Sequence, residues 1–184
     1  MKHILLLTGR PGVGKTTIIF NVAEALRARG FTVGGMISRE VREGGVRVGF
    51  KIYDIRGSRE GWLAHFERKS GPRIGKYGVC LDDLERIGVQ AIFEAVKTAD
   101  VIVIDEIGPM ELYSNRFRNA VSAAMESGKI LVGTIHYRVS DPFVADIRRR
   151  RDVKIIEVDE ENRVNLVGEI MDEVLNYLQP KDSS

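Results

Sequence analysis

Gly9-Arg10-Pro11-Gly12-Val13-Gly14-Lys15-Thr16 decides how the rest of this chain is read. The stretch fills the pattern G-x-x-x-x-G-K-[ST], and its flanks are the ones that pattern needs. His3 to Thr8 is a continuous aliphatic run suited to a strand buried on both faces, and from Lys15 to Arg29 the residues Ile18, Val22, Ala25 and Leu26 recur at helical spacing. Strand, glycine loop and helix in that order form a phosphate-binding loop. Its glycines let backbone N–H groups close around an anion at the helix N-terminus, with Lys15 placed to reach β and γ phosphate oxygens and the Thr16 hydroxyl placed to ligate magnesium. Gly9 to Thr16, with Thr17 behind them, are the expected nucleotide-binding residues.

A second stretch complements the first. Val101-Ile102-Val103-Ile104-Asp105-Glu106 is a buried aliphatic strand ending in two adjacent acids, which places both carboxylates beside the loop provided the two strands are neighbours. Asp105 suits the magnesium shell with Thr16. Glu106 can orient a water for in-line attack on a γ-phosphorus, a role that favours hydrolysis, and Glu111 is the nearest alternative acid for it. Asp105-Glu106-Ile107-Gly108 also fits the D-x-x-G of switch GTPases, but no N-K-x-D occurs in the chain, so a dedicated guanine switch is not expected and loose base selectivity is.

The remaining pattern extends the alternation. Thr32 to Ser38 predicts a second strand, and Val46 to Ile55 pairs with it as a hairpin excursion around Glu43, Gly44 and Gly45. Gly57 to Gly78, rich in glycine and charge, reads as loop with room for one helical turn. Asp82 or Asp83 caps a helix with Leu84, Ile87, Ala91, Ile92 and Ala95 on one face. A helix over roughly Arg116 to Glu126, a strand from Ile130 to Ile135 and a helix start at Asp141-Pro142 follow; then come short strands at Val153 to Val158 and Val164 to Val167, and a last helix from Glu169 to Leu178. Buried strands alternating with amphipathic helices give an α/β fold: a doubly wound, mainly parallel sheet in one domain, residues 1–180, with a flexible tail at 181–184.

Composition agrees with that class. The 28 Lys and Arg stand against 26 Asp and Glu, a net charge of +2 that makes nucleic acid an unpromising partner and an anionic membrane no better. Three scattered histidines and the lone Cys80 offer neither a zinc-type cluster nor an internal disulfide. Cys80 reads as a small core residue. No apolar run approaches membrane-spanning length, so the reducing cytoplasm is expected; the chain is also expected to be a monomer.

G-R-P-G-V-G-K-T-T near the N-terminus and D-E-I-G-P-M-E-L about ninety residues later, on a chain of this length, resemble the THEP1 family of nucleoside-triphosphatases. The resemblance covers nearly the whole chain. It implies a P-loop NTPase fold of the additional-strand, RecA-like type and hydrolysis of several NTPs to NDP and phosphate with Mg2+. Gly9 to Thr16 match the family's phosphate loop, and Asp105 to Leu112 its acidic motif, with Gly108 among the residues around the nucleotide and Glu106 at the position of the water-activating acid.

Weaker candidates compete with plain structural roles. Thr134 and His136, at the end of the Ile130 to Ile135 strand, are placed to sense a γ-phosphate as readily as to face solvent. Arg148, in the run Arg148 to Arg151, offers a transition-state cation, although such a run at a helix end also serves the dipole. Arg56 and Arg59 are comparable. Trp62 and Tyr113 could stack on a base, but packing is the commoner use of such aromatics. Two rivals stay open beside hydrolysis: a nucleotide or small-molecule kinase, with Gly57 to Gly78 as its lid, and a nucleic-acid-linked ATPase module using the basic clusters.

Overall fold

The computed structural model describes residues 2–57 and 59–179. The aliphatic run forms β1 (Ile4–Thr8), buried throughout, and feeds α1 (Lys15–Ala28), which turns Ile18, Ile19, Val22, Ala23 and Leu26 inward. β2 (Val33–Glu43) and β3 (Val46–Asp54) make the foreseen hairpin, with Gly44 and Gly45 at φ of 55° and 80°, as a two-residue turn requires. β2 outruns Ser38 because its antiparallel pairing with β3 continues to Glu43.

Gly57 to Gly78 departs from the loop expectation. β4 (Glu60–His65) pairs with β3, and β6 (Tyr77–Val79) pairs with both β4 and the two-residue β5 (Arg73–Ile74). Strands this short carry no legible period; their partners and the burial of Leu63 and Ala64 make them. The next helix starts early, as α2 (Leu81–Asp83), a π-helical segment Leu84–Val89 and α3 (Gln90–Thr98). Neither Asp82 nor Asp83 caps it: Cys80 holds the N-cap position and is buried, while Asp83 accepts the Trp62 N–H at 2.9 Å and so clamps the helix to β4.

β7 (Val101–Ile107), α4 (Asn115–Glu126), β8 (Ile130–Ile135), α5 (Pro142–Arg149), β9 (Val153–Glu157) and α6 (Leu166–Leu178) complete the chain. Asp141 caps α5 as expected, accepting the Phe143 N–H at 2.9 Å. The strand expected at Val164 to Val167 is absent: Asp159 Oδ1 accepts from Glu161 and Asn162 N–H, turning the chain, Val164 is 79% exposed, and Leu166 already opens α6. The tail at 181–184 lies outside the described residues.

The sheet order is β5-β6-β4-β3-β2-β7-β8-β1-β9. β2, β7, β8, β1 and β9 are parallel, while β3, β4, β6 and β5 form an antiparallel wing. The sheet is therefore mixed around a parallel core rather than mainly parallel, because the excursion recruited Glu60 to Val79 as further strands. β1 and β7 are not neighbours either; β8 lies between them. One apolar cluster joins the sheet to the helices around Ile87, Ile92, Phe117 and Ile147, and a second joins the other face to α1 and α6. Among the described residues no helix is long and apolar enough to cross a membrane.

Candidate active site

β1, β8 and β7 run parallel and adjacent, so their C-terminal ends open on one edge of the sheet, where α/β proteins receive ligands. Asp105 and Thr134 are buried there, and Thr134 Oγ1 donates to Asp105 Oδ1 at 2.5 Å. The Thr16 hydroxyl, from the first turn of α1, lies close enough to the Asp105 carboxylate to draw its pKa down. Asp105 is thus in reach of the loop although its strand is one removed from β1. Its Oδ2 has no partner among the described residues, and neither does Thr8 Oγ1 at the end of β1. Burial pushes the Asp105 carboxyl above its ordinary pKa, against the pull of Thr134, Thr16 and Lys15.

The glycine loop closes over this edge. Gly9 sits at φ 148°, and a Cβ there would stand 2.6 Å from the Val158 carbonyl oxygen, so no other residue fits without moving the chain after β9. Gly14 occupies the N-cap position of α1 with no side-chain cap and no acid in the first turn, which leaves the positive end of the helix facing the loop. Lys15 Nζ donates to Gly9 O at 2.9 Å and Arg10 O at 3.0 Å, holding the ammonium along the loop. Arg10, Pro11 and Gly12 are exposed, as is Thr17, with Val13 half-buried.

Glu106 lies next to this group. Burial, and then the Asp105 charge, push its carboxyl up to about 7, with Lys15 opposing. Glu111 follows in a one-turn helix, Glu111–Tyr113, and is 3% exposed; burial and then Glu106 drive it well above the ordinary range. His136 N–H donates to Ile107 O at 3.0 Å, tying the ends of β8 and β7. Its ring is held below the ordinary histidine pKa by burial and by the charges of Lys15 and Arg148, and Arg148 Nη2 donates to its carbonyl at 3.0 Å. Thr134 is therefore inside the site, with His136 and Arg148 on its border.

The other candidates fall elsewhere. The Arg56 guanidinium bonds Thr98 Oγ1 at the end of α3 and lies against Gly34 near the start of β2, at the opposite edge of the sheet. Arg59 is taken by Asp54 and Glu94, each at 2.5 Å. Both failed because a glycine-flanked loop gives no clue to which sheet edge it returns to. Trp62 is on the antiparallel wing with Lys51 Nζ 5.7 Å from its ring centroid, and Tyr113 is 49% exposed beyond β7. Arg149 and Arg150 are ion-paired with Asp146, Asp152 and Glu126, so half of the basic run is engaged where it stands.

Comparison with known proteins agrees with this geometry. A family model described as NTPase matches residues 4–171. Nucleoside-triphosphatase THEP1 of Thermofilum pendens is 51% identical over 94% of this chain and 96% of its own length, and that of Methanopyrus kandleri is 44% identical over 98% and 100%. This chain belongs to the THEP1 nucleoside-triphosphatase family. The likeness to THEP1 proteins extends to the fold: the crystal structure of THEP1 from the hyperthermophile Aquifex aeolicus superposes with a TM-score of 0.83 at 33% identity, covering 93% of this chain and 98% of that one. The solution structure of a human cancer-related nucleoside triphosphatase gives 0.79 at 38% identity, over 95% and 97%.

Three residues at this THEP1-type site escape a reading of the sequence alone. Thr8 ends β1 with its hydroxyl buried beneath the loop. Arg39 stands past the point where β2 stops pairing with β7, its guanidinium 4.7 Å above the Phe20 ring and its charge acting on Asp105. Arg163 Nη1 reaches Val13 O at 3.5 Å from the turn before α6. Applying the strand-end rule to β1 and β2 finds the first two; nothing local marks the third.

Proposed function

We propose that this chain is a magnesium-dependent nucleoside-triphosphatase that hydrolyses the terminal phosphoanhydride of several NTPs in the cytoplasm. The family supports the reaction, and the observation that carries the mechanism is the convergence of Lys15, Asp105 and Glu106 at the glycine loop. The phosphates lie against the loop N–H groups and the start of α1, with Lys15 leaving its carbonyl partners for the β and γ oxygens. The residues present fit magnesium: Asp105 keeps a buried, unpartnered Oδ2 beside the Thr16 hydroxyl, a hard oxygen pair suited to that cation. When bound, the ion neutralises charge on the β and γ phosphates. Glu106 orients the attacking water and accepts its proton, and a carboxyl near 7 is well matched to that exchange at neutral pH.

β8 between β1 and β7 supports placement in the additional-strand class. Hydrolysis is favoured over a kinase because the segment that would supply an acceptor lid is partly committed to β4, β5 and β6. We also take the chain to act as a monomer, which sedimentation or light scattering would test. Phosphate release from ATP, GTP, CTP and UTP, with and without magnesium, tests the reading. Release from all four, dependent on the metal and without any acceptor, is expected; turnover only on adding a nucleoside acceptor would make it a kinase.

A further inference from the structure

Glu111 is a fully enclosed acid that the mechanism above leaves without work. Burying a carboxyl is unfavourable unless neighbours compensate, and here the nearest charged neighbour has the same sign. The segment holding it is built firmly. Leu112 N–H donates to Gly108 O and Ser114 N–H to Glu111 O, both at 3.0 Å. Leu112 is buried, and Ser114 then caps α4 by accepting the Phe117 N–H at 3.1 Å. The turn carrying Glu111 is therefore locked between β7 and α4.

Its carboxyl and that of Glu106 both border Gly108. A Cβ built on Gly108 would collide with Glu106 Oε1 and stand 3.1 Å from Glu111 Oε2, so both acids occupy the space that a side chain at 108 would fill. We propose that Glu111 is the positioning residue of this active site, its carboxyl packing against that of Glu106 over Gly108 and fixing the direction from which Glu106 addresses the water. The inference rests on the role given to Glu106 above. Glu111 is the more enclosed of the two and approaches Glu106 from a turn locked in place. A hydrogen bond between the two carboxyls engages one Glu106 oxygen and leaves the second for the water. Gly108, matched to the family motif as a residue around the nucleotide, acts in this account by making room for the pair.

The test compares Glu111→Leu, Glu111→Gln and Gly108→Ala, each alone and with Glu106→Gln, using single-turnover hydrolysis and equilibrium binding of Mg-ATP. Glu111→Leu removes that hydrogen bond at similar size, and turnover should fall on the order of 10²-fold, the scale of a catalytic group displaced by about 1 Å, with binding unchanged. Glu111→Gln can still make it and should recover rates to within about threefold of the parent. If Glu111→Leu does not fold, Gly108→Ala serves instead: it keeps Glu111 but drives the Glu106 carboxylate aside, and the same rate loss is expected. In the Glu106→Gln background these losses should nearly vanish, because the group being positioned is gone. Additive losses in that background, a parallel loss of binding, or full turnover in Glu111→Leu would overturn the positioning role. Full turnover in Glu106→Gln alone would instead overturn the mechanism on which it rests.

Discussion

Glu106 and Asp105 are adjacent in sequence yet differ in surroundings, and that difference separates their work. Asp105 accepts from the Thr134 hydroxyl, whereas the Glu106 carboxyl is raised by burial and by the neighbouring Asp105 charge. Glu106→Gln keeps size and one acceptor but cannot take a proton, so turnover should drop by on the order of 10² to 10⁴-fold while Mg-ATP binds as before. Equal losses of affinity and rate would make it a binding residue. Asp105→Asn replaces a hard anionic ligand with a neutral amide, and part of its lost activity should return as magnesium is raised. A loss indifferent to metal concentration would remove Asp105 from the metal shell. Both acids stood out in the sequence because motif and strand end coincide; Thr8 and Arg39 belong to no motif and emerge only when the strand-end rule is applied to β1 and β2.

The elements hold the site through close backbone approach as much as through side-chain packing. β2 meets β7 in parallel from Val33↔Val101 to Met36↔Ile104, and Gly35 in that seam adopts φ 121° with its Cα pressed against the Val103 carbonyl. Gly35→Ala adds a Cβ where that carbonyl already stands, in a conformation alanine resists, and should destabilise the protein by on the order of 3 kcal/mol. Urea unfolding should show the midpoint falling at constant slope; a midpoint within error of the parent would mean that the seam yields. α1 could be foreseen because its apolar spacing is long enough to show a period, and the start of α5 because its Asp141-Pro142 cap is local. β4, β5 and β6 could not. Two to six residues do not establish a period, and the hydrogen bonds that make them strands come from elsewhere in the chain.

Across the whole molecule, paired charges tie distant elements together. Arg118 on α4 holds Asp141 at the cap of α5 through contacts at 2.8 and 2.9 Å, and Arg150 joins Asp152, before β9, to Glu126 at the end of α4. These arginines keep the Asp141 and Asp152 carboxyls below their ordinary range. Folded pKa values lower than unfolded ones mean that the stabilisation is complete above the unfolded value of about 3.9 and is lost as pH falls through the folded values. The melting temperature of Arg118→Met/Arg150→Met should therefore lie below that of the parent at neutral pH, with the two converging under acid. A constant gap down to low pH would assign the loss to packing instead. By itself the sequence determined the glycine loop, the acidic strand end, the alternation of strands and helices and hence the reaction class, since each rests on interactions within a few residues. Only the tertiary structure decided the order β7-β8-β1, the antiparallel wing, the exile of Arg56 and Arg59 from the site and the placing of the Glu106 and Glu111 carboxyls around Gly108. Those depend on which segments share hydrogen bonds and burial across the sheet, and no local pattern encodes that choice.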